Sequence, residues 1–592
     1  MEISQKELEA LERFMDPERI AKYDDDNPGS LGLLLEENAE KVPDTIALYF
    51  EDQRITYREL NRGCNRVANH FLSIGAEKGQ VCALLMENSV EYLVTMLGLI
   101  KTGTVGSLVN PNLRKKSLVH VLKVSNSEFV LVHENLVGAF REIIDDLDIP
   151  KENIWVWRNS REKTTPFNDF SAAFEKASAE NPPTTRQVLM GDVINHLYTS
   201  GTTGMPKAVN IRAKNWVQNG ELVFKVTTPC TSDDIIYSPL TLSHAWGMLS
   251  LAGALNLGSG FVFRRKFSAA EFWEDVRKND VTVATYIGEV PRYLFNQPEK
   301  SDDADNPLSK IIGLGLKAEI WEKFKERFGI DEIIECYGFS EVKGSIINIA
   351  GKVGMIGRIL NSAAAAVLKY DTDAGTFERD ENGNMIRCTE PGERGVYIIN
   401  VMDAAAVMNE YTDEQQTEKK LLRDVFEKGD VWFDSGDLFQ LHEDGWLSFK
   451  DRLGDTFRWK GENVATQEVE SILMDFPGVE LASVYGVHIQ DMSGQAGMAA
   501  IIKSRDIEWD WDRFHGFVQE NLPSYAIPRF IRFCRQLDMT ATFKQKKVDL
   551  RKAGFNPDEI EDPLLFWNGA NKEYLELERD AYQSINSGKV RI

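Results

Sequence analysis

Positive charge is what this chain is short of: 68 lysines and arginines face 92 aspartates and glutamates, a formal balance of −24. That deficit disfavours a nucleic-acid partner, because phosphate contacts need clustered basic side chains, and it gives no attraction to anionic lipid heads. Cysteine is scarce too. The six present, Cys64, Cys82, Cys230, Cys336, Cys388 and Cys534, lack metal-ligand spacing and read as reduced, buried residues of a cytoplasmic protein. Residues 1–26 alternate charges, with Leu8, Leu11 and Phe14 at helical spacing, and contain no apolar stretch of signal-peptide length, so secretion is not expected. The last residues, Gly588 to Ile592, do not spell a peroxisomal address. Internal repeats and low-complexity tracts are absent.

One segment lacks charge altogether. No Asp, Glu, Lys or Arg occurs from Ile235 to Phe263, a run longer than the ~20 residues a spanning helix needs. Gly247, Gly253, Gly258, Gly260, His244 and Asn256 interrupt it. The pattern therefore predicts a strand end, a buried helix and a second strand rather than a membrane span. Peripheral contact with the inner face of the cell membrane stays open.

The remainder is globular in character, 43% hydrophobic and 27% charged, and at 592 residues it exceeds what one core serves, so at least two domains are expected. Apolar, β-branched runs such as Phe129–Val132 and Val281–Tyr286 alternate with amphipathic stretches such as Val90–Thr102 and Ala269–Lys278. That alternation reads as α/β layers. A small β-rich subdomain is expected from Arg387 through Phe449, where Pro391-Gly392 and Gly395 precede Val396-Tyr397-Ile398-Ile399. After Asp451-Arg452 the pattern resets. The expected division is a large domain, 1–451, and a smaller α/β domain, 452–592.

The densest chemistry lies in Tyr198-Thr199-Ser200-Gly201-Thr202-Thr203-Gly204-Met205-Pro206-Lys207, directly after the strand-like run Val193–Leu197. Glycines let backbone amides converge without a Cβ in the way, hydroxyls add donors, and such a concave turn binds phosphate oxygens. A nucleoside triphosphate is implied. The Walker loop is excluded, since it needs a hydroxyl residue directly after the lysine, and Ala208 follows Lys207 here.

Four further stretches follow in order: Tyr337-Gly338-Phe339-Ser340-Glu341, Asp434-Ser435-Gly436-Asp437, Asp451-Arg452-Leu453-Gly454-Asp455, and Lys544 within Thr540-Ala541-Thr542-Phe543-Lys544. With the phosphate loop, they resemble the adenylate-forming enzymes, the superfamily of acyl-CoA synthetases, peptide-synthetase adenylation domains and beetle luciferases. The resemblance implies a large N-terminal adenylate-forming domain of layered α/β sheets with a β-rich subdomain, and a smaller mobile α/β lid. It implies ATP, Mg²⁺ and coenzyme A as cofactors.

Residue by residue, the resemblance assigns the β- and γ-phosphates to Thr199–Lys207, with Tyr198 at its start. Glu341 becomes the magnesium carboxylate, with Thr199 as an oxygen partner. Asp437 suits the vicinal ribose hydroxyls, and Arg452 contacts the same nucleotide. Gly313-Leu314-Gly315-Leu316 resembles the turn that packs against adenine. His244 lies in Leu240-Thr241-Leu242-Ser243-His244, where the superfamily shows Leu-Pro-Leu-Tyr-His; a substrate-site role and a satisfied core histidine both stand. Lys544 reaches the α-phosphate and the substrate carboxylate. Gly454 matches the hinge position, and glycine absorbs a dihedral change freely there. Ala541 stands where a glycine is usual, three residues before the catalytic lysine.

The run Asp455 to Glu470, with Arg458 and Gly461, closely resembles the fatty acid transport protein branch, also called very-long-chain acyl-CoA synthetases. Tyr286-Ile287-Gly288-Glu289 and Gly494-Gln495-Ala496-Gly497 point the same way. The animal members carry an N-terminal membrane segment without a counterpart here. The implied activity is a long- or very-long-chain fatty acid:CoA ligase forming AMP and pyrophosphate. Ligation of another acid (carnitine-like, bile or aromatic) and fatty acid uptake with secondary catalysis are the alternatives.

Overall fold

The computed structural model describes the chain except residues 1–2, 159–165, 200–204, 343–345, 372–373, 403–408, 460–461, 491–493, 505–506, 540–544, 570, 588 and 591–592. Two compact units emerge. The first comprises residues 1–358 and 403–421, the second 359–402 and 422–592.

The first unit holds two sheets. One runs Ile346–Asn348, Glu332–Tyr337, Lys310–Leu314, Val283–Ile287, Ile235–Ser238, Gly260–Phe263, Ile46–Phe50 and Gln53–Thr56, in that spatial order. Its six central strands are parallel, and the two edge pairings are antiparallel. The other sheet orders Asn168–Asp169, Ile154–Trp157, Phe129–His133, Val81–Leu85, Val105–Leu108, Val193–Thr199 and Lys207–Arg212; only the last pairing is antiparallel. Inner strands such as Val81–Leu85 and Gly260–Phe263 read as continuous apolar runs because both faces of a parallel sheet are covered.

The charge-free segment folds as expected, into the strand Ile235–Ser238, the helix Ala245–Leu257 and the strand Gly260–Phe263. Its glycines make room for neighbours: a Cβ on Gly253 would sit 2.3 Å from the Phe224 ring. Among the described residues no helix is long and apolar enough to cross a membrane. The helix Val90–Thr102 is buried from Tyr92 to Thr102 and stops at Gly103 in the left-handed region, φ +76°. Within it, the fully buried Lys101 donates to Asn61 Oδ1 and Asn65 Oδ1, both at 2.6 Å, and to Glu36 Oε2 at 3.2 Å. Three helices are thereby tied by one ammonium.

In the second unit, Ala365–Asp371, Arg394–Asn400, Val431–Leu441 and Trp446–Arg452 form an antiparallel sheet, the expected β-rich element. A separate sheet orders Val479–Val487, Ala496–Lys503, Phe530–Phe533, Leu564–Asn568 and Glu573–Glu576. The helices Thr466–Met474 and Trp511–Asn521 contribute Val469, Leu473, Phe514 and Val518 to its core. The 451/452 division read from the sequence lies inside this unit, at the end of the strand Trp446–Arg452.

Candidate active site

In an open parallel sheet, ligands collect beyond the carboxyl ends of the strands, where loops diverge and backbone amides are free. Four such ends lie side by side in the first unit. Lys310–Leu314 leads into Gly315, Glu332–Tyr337 into Gly338–Glu341, Ile235–Ser238 toward His244, and Val283–Ile287 into Gly288.

The Gly315 turn is shaped from beneath. Gly315 adopts φ +93°, and Gly288 N donates to Leu314 O at 2.8 Å. Gly313 allows a close approach, since a Cβ there would lie 2.2 Å from Tyr286 O. Buried Glu335 accepts from the Gly315 amide, from Leu316 N at 3.3 Å and from the Tyr286 hydroxyl at 2.5 Å. Burial pushes its carboxyl up to about 8. Sequence reasoning missed this residue.

The phosphate hairpin pairs Val193–Thr199 with Lys207–Arg212, placing Thr199 opposite Lys207. Ser200, Gly201, Thr202, Thr203 and Gly204 lie outside the described residues. Tyr198 turns its hydroxyl to Ser107 Oγ at 2.5 Å and to Val121 O at 2.8 Å, anchoring the strand that carries the loop.

A strap, residues 409–412, runs along the free edge of this hairpin. Asn210 N donates to Glu410 O at 3.0 Å, Thr412 N donates to Ala208 O at 2.9 Å, and Arg212 pairs with Glu410 at 3.1 Å. The strap brings two side chains to the Tyr337–Glu341 motif. Asn409 donates its backbone amide to Glu341 O at 2.7 Å and its side-chain amide to Ser340 O at 2.8 Å. The Tyr411 hydroxyl donates to Glu341 Oε1 at 2.7 Å, Thr199 also hydrogen-bonds it, and Lys207 Nζ stands 5.2 Å from the ring centroid. Thr199, Lys207 and Glu341, three residues singled out from the sequence, thus converge on a tyrosine and an asparagine that were not. Burial and the Glu341 charge push the Tyr411 phenol far up, so it remains a donor. Burial, then Lys420 and Lys419, hold the Lys207 ammonium below its usual value.

Magnesium fits this donor set. Among the described residues no cluster of three His, Cys, Asp or Glu could cage a metal by itself. A single half-buried carboxylate beside a threonine hydroxyl is what a hard cation shared with substrate phosphates requires.

Tyr337 and Phe339 pack edge to face, ring centroids 4.9 Å apart. His244 caps the helix Ala245–Leu257, its Nδ1 accepting from Trp246 N at 3.4 Å.

The second unit holds the other candidates. Buried Asp437 faces Arg452 across the antiparallel pair, with Arg452 Nε 3.7 Å from Asp437 Oδ1. Gly436, φ +70°, turns the backbone just before it. Arg458 lies in the short hairpin strand Phe457–Trp459, and its carbonyl accepts from Gln495 N at 2.7 Å. Gly461 and Lys544 lie outside the described residues.

Layered parallel α/β sheets, strand-end loops, and a lysine, a threonine and a glutamate gathered on one tyrosine define a nucleotide-binding α/β enzyme. The family model described as AMP-binding enzyme matches residues 35–424, and that described as AMP-binding enzyme C-terminal domain matches residues 468–544. The chain belongs to this AMP-binding enzyme family. It is 37% identical over 562 residues to long-chain fatty acid transport protein 2 of Rattus norvegicus, covering 93% of this chain and 89% of the relative. It is 34% identical over 562 residues to a medium/long-chain-fatty-acid–CoA ligase of Mycobacterium tuberculosis, covering 95% and 92%. An anthranilate CoA ligase in complex with anthranoyl-AMP shares the fold, with a TM-score of 0.74 at 20% identity over 88% of this chain and 97% of that one. So does the o-succinylbenzoate CoA synthetase of Bacillus subtilis with ATP and magnesium, at 0.68, 23% identity, 88% and 99%.

Proposed function

We propose that the protein is an AMP-forming acyl-CoA synthetase that activates long- or very-long-chain fatty acids. The observation that carries this reading is the convergence of Lys207, Thr199 and Glu341 on Tyr411. Relatives named for long-chain fatty acid transport and for medium/long-chain fatty acid–CoA ligation support the choice of acid.

A carboxylate cannot expel oxide, so it must first acquire a leaving group. One carboxylate oxygen attacks the α-phosphorus of ATP, the bond from that phosphorus to the bridging oxygen breaks, and pyrophosphate departs. The thiol of coenzyme A then attacks the acyl carbon, losing its proton; the bond from that carbon to the oxygen it shares with phosphorus breaks, and AMP leaves with that former carboxylate oxygen. Placed positive charge serves the first step best, because charge migrates onto pyrophosphate in the transition state. Lys207, with Lys419 and Lys420 close enough to depress its basicity, supplies that charge. Magnesium, when bound by Glu341 and Thr199, neutralises phosphate oxygens.

In this reading Asp437 and Arg452 hold the ribose, and the Gly315 turn receives adenine. Residues 452–592 act as a lid turning at Gly454. Lys544 serves adenylation, and the face carrying Arg458 and Gly461 serves thioester formation. The enzyme works in the cytoplasm, where its six free, buried cysteines stay reduced.

Purified protein given oleate, ATP, Mg²⁺ and coenzyme A is expected to yield oleoyl-CoA, AMP and pyrophosphate in equal amounts. Absence of any acyl-adenylate or thioester across chain lengths refutes the proposal. Efficient use of short aromatic or carnitine-like acids, with fatty acids ignored, would reassign the substrate.

A further inference from the structure

We infer that Tyr411 is a positioning residue that couples the metal-binding carboxylate to the phosphate-binding lysine. The inference rests on the adenylation reading and deepens it at the same site. Nothing in the sequence around Tyr411 marks it as part of that site.

The geometry separates two functions of one side chain. Its hydroxyl donates to Glu341 Oε1 at 2.7 Å, which fixes one carboxylate oxygen and leaves the other to a cation. Its ring lies 5.2 Å from Lys207 Nζ, within the ~6 Å at which an aromatic face attracts an ammonium. The charge of Glu341 and the ammonium of Lys207 are therefore held at a set spacing by a rigid, planar spacer. A flexible lysine and a flexible glutamate would otherwise pair directly, and such a collapse would remove both groups from the substrate.

The spacer is itself held. Tyr411 is 5% exposed, its amide donates to Thr417 Oγ1 at 3.0 Å, and the strap is hydrogen-bonded to the hairpin strand on either side of Val209. Asn409, two residues earlier, grips the backbone of Ser340 and Glu341. Rigid support of this kind keeps a site pre-organised for a developing charge rather than rearranging to meet it.

The test is calorimetric titration of α,β-methylene-ATP, which cannot be cleaved between the α- and β-phosphates, at low and at saturating Mg²⁺. Tyr411→Phe deletes the hydroxyl and keeps the ring. It is expected to weaken nucleotide binding at low Mg²⁺ by roughly tenfold, the scale of a lost hydrogen bond to a charged group, and to regain wild-type affinity at saturation. Tyr411→Leu deletes the ring too and is expected to stay weak at both concentrations. Asn409→Ala, which spares the tyrosine, is expected to raise the Mg²⁺ requirement as Tyr411→Phe does. A merely structural role would lower the melting temperature without changing the Mg²⁺ dependence. Unchanged Mg²⁺ dependence in both Tyr411→Phe and Asn409→Ala, with wild-type protein binding normally, overturns the inference alone. Wild-type protein that takes up none of the nucleotide overturns the proposed function, and the inference falls with it.

Discussion

Glu335 illustrates how much a single buried carboxylate carries. Three donors favour its ionised form, yet burial dominates and moves it from 4.5 to about 8. The folded protein therefore holds a proton across that interval which the unfolded chain has already released. Its contribution to stability is present below pH 4.5 and declines as pH rises to about 8. Glu335→Gln is expected to flatten this slope, read as the urea midpoint measured across the same interval. A variant whose midpoint falls with pH as steeply as the parent's contradicts the assignment. Lys207 and Glu341 were legible because lysine and glutamate sit at marked places in compact motifs. Tyr411 was not, because its partner Glu341 lies 70 residues away and the pairing exists only once the strap has docked.

At the scale of elements, helix–helix contact is where buried charge decides stability. Lys101 satisfies Glu36, Asn61 and Asn65 at once, inside a helix whose other buried positions are mostly apolar. Lys101→Ala removes the donor from Asn61 Oδ1 and Asn65 Oδ1 and leaves Glu36 only the longer Arg186 pair at 3.8 Å, and it is expected to cost about 3–5 kcal/mol in chemical denaturation, while Lys101→Met, which fills the space, costs less. A loss from Lys101→Ala below about 1 kcal/mol would mean the buried pair is not the tie proposed. The bounds of the helix, Val90–Thr102, were readable, but its amphipathic reading was not met: every residue from Tyr92 to Thr102 is buried, as in a helix covered on all sides. Two inner strands, Phe129–His133 and Val283–Ile287, were readable as the apolar runs Phe129–Val132 and Val281–Tyr286. Lys101 was not readable as a tie, because a lysine in the last turn of a helix normally reaches solvent.

For the whole molecule, alternation of strands and helices was enough to give the α/β class, but not the packing units. Residues 403–421 return to the first unit between segments of the second, and no change of composition announces that return. The proposed lid, 452–592, is a division of movement. Lys544→Ala is expected to abolish adenylation while leaving supplied acyl-adenylate convertible to acyl-CoA, and Arg458→Ala to show the reverse. Equal loss of both half-reactions in either variant contradicts two working faces. Around the boundary the structure is well tied: Asp451 accepts from Thr466 N at 2.6 Å, and Lys547 Nζ donates to Thr466 Oγ1 at 2.6 Å and to Glu470 Oε1 at 2.8 Å. A turn at Gly454 must keep or break these bonds as a group.

If this site joins a fatty acid to AMP, reversal of that step carries labelled pyrophosphate into ATP, and the exchange rate reads the step alone. Exchange that requires both fatty acid and Mg²⁺ and proceeds without coenzyme A is the expected result. No exchange at any chain length, or exchange indifferent to the fatty acid, would contradict it.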